Sequence, residues 1–256
     1  MEYIVTSTQN PAIKEIRKLS SAKSRKDSGL FLVEGEKCVR EAMDIEGLCA
    51  QLIVLEKDKD SYSALLDDFP GDIFFVSEPV LESVATTKSP QGIVAVCECK
   101  KLMLDEEDGL KIILDGISDP GNLGTIIRTA DAAGATAVYT LDESADKLNP
   151  KVVRASMGSI FHIPVKNAIY EDIQRLKEAG YIILGADLAG DTDFGINQKK
   201  VGLVIGSEAH GISENMRLLL DKKIKIPMFG QAESLNAGVA AGILMYKIVE
   251  KSINLL

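Results

Sequence analysis

The chain has no tryptophan, and aromatic residues make up only 5% of its 256 positions. It has four cysteines (Cys38, Cys49, Cys97, Cys99), none spaced C-x-x-C, and two histidines, His162 and His210. That inventory excludes a disulfide scaffold and gives no structural metal site, so no metal is expected. Long apolar runs are missing too: the stretch IVAV at 93–96 is far short of the roughly 20 residues a membrane helix needs. The opening MEYIVTSTQN lacks a basic segment followed by an apolar one, so no secretory signal is expected, and a reducing cytoplasm is the expected compartment. There is no G-x-G-x-x-G, no G-K-[ST] and no G-x-S-x-G. Dinucleotide-fingerprint, P-loop and serine-hydrolase readings therefore fail. Internal repeats and low-complexity tracts are also absent.

What is present is an ordinary globular composition, 46% hydrophobic and 26% charged, in a chain long enough for one large or two small domains. The net charge of −9 argues against indiscriminate nucleic-acid binding. The charge is uneven, however. Segment 14–26 carries six basic residues (Lys14, Arg17, Lys18, Lys23, Arg25, Lys26) against Glu15 alone. Segment 41–82 has eleven acids against Lys57 and Lys59. A localised basic patch on an acidic protein suits one anionic partner; a solvated helix face explains it equally well.

Asn10 and Pro11 predict a helix start, with Ile13, Ile16 and Leu19 as its apolar stripe. Strands are predicted at 30–35, 51–56, 72–77 and 92–97, with a helix over 36–45. This is a small α/β domain, 1–98. The charged, aperiodic stretch 99–109 reads as a linker. From 110 to 256 strands alternate with helices: strands KIILD, AVYTL, YIILGA, VGLVIG and KIKIP, and helices at 123–133, 152–157, 170–178 and from Ser234 onward. That alternation predicts a mostly parallel sheet covered on both faces, with ligands at the carboxyl ends of its strands.

Three glycine-marked loops fall at such ends. In the first, ISDPGNLGTIIRTADAAG (117–134), Pro120, Gly121 and Gly124 allow a tight turn, Asn122 can bond a ligand or cap the helix, and Arg128 lies in the second turn. In the second, VIGSEAHGIS (204–213), Gly206 and Gly211 bracket Ser207, Glu208 and His210. His210 has no identifiable nucleophile or orienting partner in sequence, which favours a structural or surface role. In the third (226–248), Glu233, Ser234 and Asn236 resemble helix-start chemistry before a helix that is apolar on several sides. Each loop alone is equally well explained as a turn or a cap.

Together and in this order, the loops resemble the SpoU (TrmH) family of RNA ribose 2′-O-methyltransferases in the SPOUT superfamily. Asn-x-Gly-x-x-x-Arg matches Asn122, Gly124 and Arg128. Gly-x-Glu-x-x-Gly matches Gly206, Glu208 and Gly211. Ile-Pro-Met followed by Ser-Leu-Asn matches Ile226, Pro227, Met228, Ser234, Leu235 and Asn236. The openings STQNPAIKEIRKL and FLVEGEKCVREA also resemble the small ribosomal-protein-like substrate domain of many members. Ala209-His210 and Ala237 depart from common family residues without removing a polar group.

The resemblance implies a deep trefoil knot, a homodimer through the C-terminal domain, and S-adenosylmethionine as cofactor. The cofactor would be held around Leu184, Gly185, Ala186, Gly206, Ile226, Met228, Ser234 and Leu235. It implies ribose 2′-hydroxyl methylation with Arg128 as the group that activates the hydroxyl; because a guanidinium is a poor base at neutral pH, Arg128 is expected instead to clamp the adjacent phosphate and stabilise the developing alkoxide. Asn122, Glu208, Ser234 and Asn236 would orient it. The expected partner is ribosomal RNA, gripped through the six basic residues of 14–26 together with Arg128. Transfer RNA, or a non-catalytic RNA-binding or ribosome-assembly role on the same fold, are the alternatives. The modified nucleotide and the proton acceptor are not legible.

Overall fold

The structure is a computed structural model describing residues 2–102, 104, 106–194 and 199–253. The chain divides into two compact units. The first comprises Met1–Met103 together with Asp146–Phe161, and the second comprises Leu104–Ala145 with His162–Leu256.

The first unit runs β1 (Glu2–Val5), α1 (Pro11–Lys18), α2 (Ala22–Ser28), β2 (Leu30–Glu34), α3 (Glu36–Met43), β3 (Cys49–Leu55), α4 (Ser63–Leu66), β4 (Asp72–Val76), α5 (Glu78–Val84) and β5 (Ile93–Glu98). Its sheet has the order β1-β4-β3-β5-β2, with β1, β4 and β3 parallel and β5 antiparallel to both neighbours. Asn10 caps α1 as expected, its Oδ1 accepting from the Ala12 amide at 2.9 Å, with Pro11 in the first turn. Such a cap is worth about 1 kcal/mol. Ile13, Ile16 and Leu19 then bury against Leu32, Ile53, Phe74 and Val94, each side chain contributing roughly 1.5–3 kcal/mol of apolar transfer.

Arg25 does not belong to the basic surface. It is 4% exposed, donates to the Leu19 and Ser20 carbonyls at 2.8 and 2.9 Å, and pairs with Asp146 at 2.5 Å. A buried guanidinium must be paired, and here the chain supplies every partner. Lys14 is half-buried, while Arg17, Lys18, Lys23 and Lys26 are exposed; Lys18 meets Glu15 at 2.7 Å.

The second unit contains β6 (Leu110–Asp115), α6 (Pro120–Ala132) and β7 (Ala137–Thr140). The chain then passes through α7 (Pro150–Ala155), which packs in the first unit against β2. It continues with β8 (Val165–Asn167), α8 (Tyr170–Glu178), β9 (Ile182–Asp191), β10 (Val201–Gly206), α9 (Glu214–Arg217), β11 (Lys222–Ile224) and α10 (Ala237–Ile253). The sheet order is β11-β9-β10-β6-β7-β8, and every pairing is parallel. All six residues of β6 are buried, as a strand covered on both faces requires. Because the strands are parallel, their carboxyl ends share one edge, and the strands feeding the three loops are near neighbours in the sheet. Helix α10 begins at Ala237, not at Ser234, because Asn236 is its cap: Oδ1 accepts from the Gly238 and Val239 amides at 3.0 and 3.3 Å. Among the described residues no helix is long and apolar enough to cross a membrane.

Candidate active site

Three strand ends and one helix cap build the site. Asp119 caps α6 by accepting from the Asn122 amide at 2.8 Å, which leaves the Asn122 side chain free to bond elsewhere. At the end of β10, Gly206 sits beside Asp115 of β6, and the following loop closes on itself: the Ser207 amide donates to Gly211 O at 3.1 Å and the Gly211 amide to Ser207 O at 2.9 Å. A Cβ on Gly206 would lie 2.2 Å from the Gly211 carbonyl carbon, so only glycine fits there. Gly211 itself takes φ +67°. Buried Asp115 fixes the far side of the loop by accepting from the Ser213 amide at 2.7 Å.

These supports bring the three motifs into one polar chain. Asn122 Nδ2 donates to Glu208 Oε1, and Asn236 Nδ2 donates to Asn122 Oδ1 at 2.9 Å. Since Asn236 also caps α10, the chain runs from the β10 loop through the start of α6 to the start of α10. Ser234 stands outside this chain of bonds but lines the cavities described next. Arg128 lies on α6, exposed, with no ion pair or hydrogen bond among the described residues. His210 is exposed, and its amide donates to Ser207 Oγ at 3.1 Å, a loop contact with no catalytic geometry.

Beside the polar chain lie two cavities of about 280 and 120 Å³. Both are lined by Ala186, Asp187, Leu188, Ser234, Leu235 and Ala240, so they form one recess. Gly206 and Glu208 line the larger, Ile226 and Met228 the smaller. Leu184 and Gly185 are buried in β9 and line neither cavity; a Cβ on Gly185 would meet Leu220 at 2.4 Å.

Asp187 and Arg217 were not singled out in sequence. Asp187 accepts from the Ala189 amide at 2.9 Å and pairs with Arg217 at 3.0 Å and Lys223 at 3.6 Å. The Ala189 amide, with Lys223 and Arg217, outweighs the cost of burial and holds its carboxyl below the usual aspartate range. The available signal was position, an acid just past an apolar strand in a parallel sheet.

The recess therefore has an apolar lining (Leu188, Met228, Leu235), a carboxylate–guanidinium pair (Asp187–Arg217) and a second carboxylate, Glu208, held by Asn122, which Asn236 holds in turn. That set suits a ligand with a flat apolar part, hydroxyls and a cationic group.

Comparison with known proteins agrees with this architecture. The profile described as "SpoU rRNA Methylase family" matches residues 109–246, and "MRM3-like substrate binding domain" matches 10–95. The chain is 34% identical over 253 residues to the 23S rRNA (guanosine(2553)-2′-O)-methyltransferase RlmP of Bacillus subtilis, covering 95% of this chain and 98% of that one. An AdoMet-bound rRNA methyltransferase from Sinorhizobium meliloti superposes with a TM-score of 0.85 at 33% identity, covering 98% of each chain. The AdoMet complex of the SpoU methyltransferase AviRb from Streptomyces viridochromogenes gives 0.85 at 29%, covering 96% of this chain and 99% of that one. The chain belongs to the SpoU rRNA methylase family, with a substrate-binding domain at its N-terminus and the SPOUT-type α/β fold in its C-terminal unit.

Proposed function

We propose that the protein methylates a ribose 2′-hydroxyl of 23S ribosomal RNA in the cytoplasm, with S-adenosylmethionine as donor. The observation that carries this reading is the single polar chain Glu208–Asn122–Asn236 beside the apolar recess. The donor supplies a methyl group on a sulfonium, already a strong electrophile, so the protein's task is alignment and making the hydroxyl oxygen more nucleophilic.

Asp187 would accept from hydroxyls of the donor's ribose, and Leu188, Met228 and Leu235 would pack against its base. The backbone at Ala186, Gly206 and Ile226, with Ser234, completes the cradle; Leu184 and Gly185 act only as the buried strand beneath it. Glu208, held by Asn122 at the edge of the larger cavity, would offer negative charge to the donor's cationic sulfonium. Arg128 is a guanidinium without a partner among the described residues, available to an RNA phosphate and to the alkoxide that develops as the hydroxyl attacks. With a pKa above about 12 it does not serve as the base.

Exposed Arg17, Lys18, Lys23 and Lys26 supply salt-dependent contact to RNA phosphates. The protein acts as a homodimer through α10, whose Val239 and Tyr246 are 51% and 53% exposed. We include in the proposal the deep trefoil knot; the closed Ser207–Gly211 turn next to the segment leading into α10 supports it.

The test is transfer of labelled methyl from S-adenosylmethionine to unmodified 23S rRNA and, separately, to transfer RNA, with Arg128→Ala alongside. The expected result is label in 23S rRNA, at an alkali-resistant linkage, that is lost in the variant. Label confined to transfer RNA, or none despite donor binding, overturns the proposal.

A further inference from the structure

Phe229 is 95% exposed, more than any other large apolar side chain among the described residues. A phenyl ring is normally taken out of water, yet no charged group or second ring of the described residues meets this one.

Its position in the chain accounts for the exposure. The segment 225–236 joins β11 to α10. Ile226 and Met228 on its first arm and Ser234 and Leu235 on its second line the smaller cavity of the recess. With Met228 lining the cavity, Phe229 faces out, and residues 229–233 are all exposed. A Cβ on the next residue, Gly230, would meet nothing within 4 Å. The ring therefore stands in solvent on a loop whose two arms both line the recess. Leu188, which lines both cavities, is itself 65% exposed.

What such a ring can hold follows from its chemistry. It carries no hydrogen-bond donor or acceptor, so it cannot read the edge of a ligand and offers a flat face instead. The residues after it, Gly230, Gln231, Ala232 and Glu233, are small or polar. They do not extend the apolar surface toward the roughly 800 Å² that each partner covers in a stable protein pair. The face of an RNA base suits the ring in size and surface, because unpaired bases stack on aromatic side chains. We propose that an unpaired base of the RNA substrate stacks on Phe229 at the mouth of the recess. Drawing one ribose to the recess takes its base away from its stacked neighbours, and the ring replaces that contact. The choice of RNA rests on the function proposed above; the choice of a base as what meets Phe229 rests on the ring and its surroundings. Stacking uses the face that every base has, so it adds affinity without choosing a sequence. An uncharged ring releases no counterions, so its contribution is independent of salt, unlike that of Arg17, Lys18, Lys23 and Lys26.

The chain has no tryptophan, so Phe229→Trp places a single indole at this position. The full-length variant is titrated with a nine-residue oligoadenylate and with an abasic ribose-phosphate strand of the same length. Saturable quenching by the oligoadenylate, and none by the abasic strand, is the expected result. Phe229→Trp should bind the oligoadenylate as tightly as the parent. Phe229→Ala and Phe229→Leu should bind it at least about fivefold more weakly, the size of one lost stacking contact. Leucine keeps apolar bulk and loses the flat face. The factor should be the same at about 50 and 200 mM salt. Phe229→Ala should match the parent in S-adenosylmethionine binding and in sedimentation. Emission that the oligoadenylate does not change, or a leucine variant that binds like the parent, overturns the proposal. Lost donor binding or altered sedimentation in Phe229→Ala also overturns it, by assigning the ring to the donor or to a second copy. Methyl transfer by the parent separates the two readings. Activity without quenching refutes the stacking contact alone, and quenching without activity toward any RNA refutes the proposed function alone.

Discussion

Arg128 and Arg25 show how one residue type takes opposite roles. Arg128 is exposed and has no partner among the described residues, so its charge is available to a substrate. Arg25 is buried, and Leu19, Ser20 and Asp146 take up its donors. Arg128→Lys keeps the charge and removes the planar fork that can hold a phosphate oxygen and the reacting oxygen at once. The expected outcome is a fall in kcat of about 10²-fold or more, the size of losing a transition-state donor. Unfolding free energy should shift by less than about 0.5 kcal/mol, as for an unpaired surface group. Single-turnover methyl transfer and urea denaturation check the two halves; near-parental turnover would remove Arg128 from the reaction. The motif match set Arg128 apart, but Arg25 read as one more cation of the basic segment 14–26. What distinguishes them is Asp146, 121 residues from Arg25 along the chain.

At the scale of elements, Glu106 ties three parallel strands together. It accepts from Lys111 of β6, Lys166 of β8 and Tyr139 of β7. Burial alone would raise its carboxyl, but the bonds from Lys111, Lys166 and Tyr139 outweigh that and hold it at about 2. Burial, with the bond to Glu106, pushes the Tyr139 hydroxyl well above its ordinary range. The folded value lies below the 4.5 of a free glutamate. The stabilisation is therefore complete above that pH and is lost as pH falls toward 2. Glu106→Gln should lower stability at pH 7 by about 1–3 kcal/mol, the range for bonds to a charged group. Parent and variant should converge in urea-unfolding series as pH falls through 4.5 to 2; a constant gap across that interval would contradict the assignment. Elements of this sheet were legible where periodicity is strong: β6, β10 and α8 stand where apolar runs and caps place them. Others were not. Strand β8 has three residues and β1 four, too few to show a period, and both lie at sheet edges held by their neighbours. Asn122, Glu208 and Asn236 were singled out because the three loops together resemble the family's motifs, and the structure joins them in one chain of hydrogen bonds. Asp187 and Arg217 were not, since each is an isolated charge in sequence and they meet only where α9 brings Arg217 to the end of β9.

At the scale of the whole molecule, an acidic chain must hold RNA with a local basic surface, and an apolar helix must be kept from water. Helix α10 packs one side on α6, where Gly238 and Gly242 bring its backbone close to Thr125 and Thr129. Val239 and Tyr246, two turns apart on one face, remain half exposed. In the proposed homodimer a second copy presenting the same stripe would cover this open side with two-fold self-complementarity. Val239→Glu adds charge where the separate chain has solvent, so its own folding should be little affected, whereas pairing would bury two like charges on opposite copies. The parent should sediment as a dimer at micromolar concentration and Val239→Glu as a monomer, with methyl transfer falling in step. A parent that sediments as a monomer, or a variant that remains dimeric, would show that α10 is not the contact. A monomeric variant with full activity would show that each copy carries a complete site.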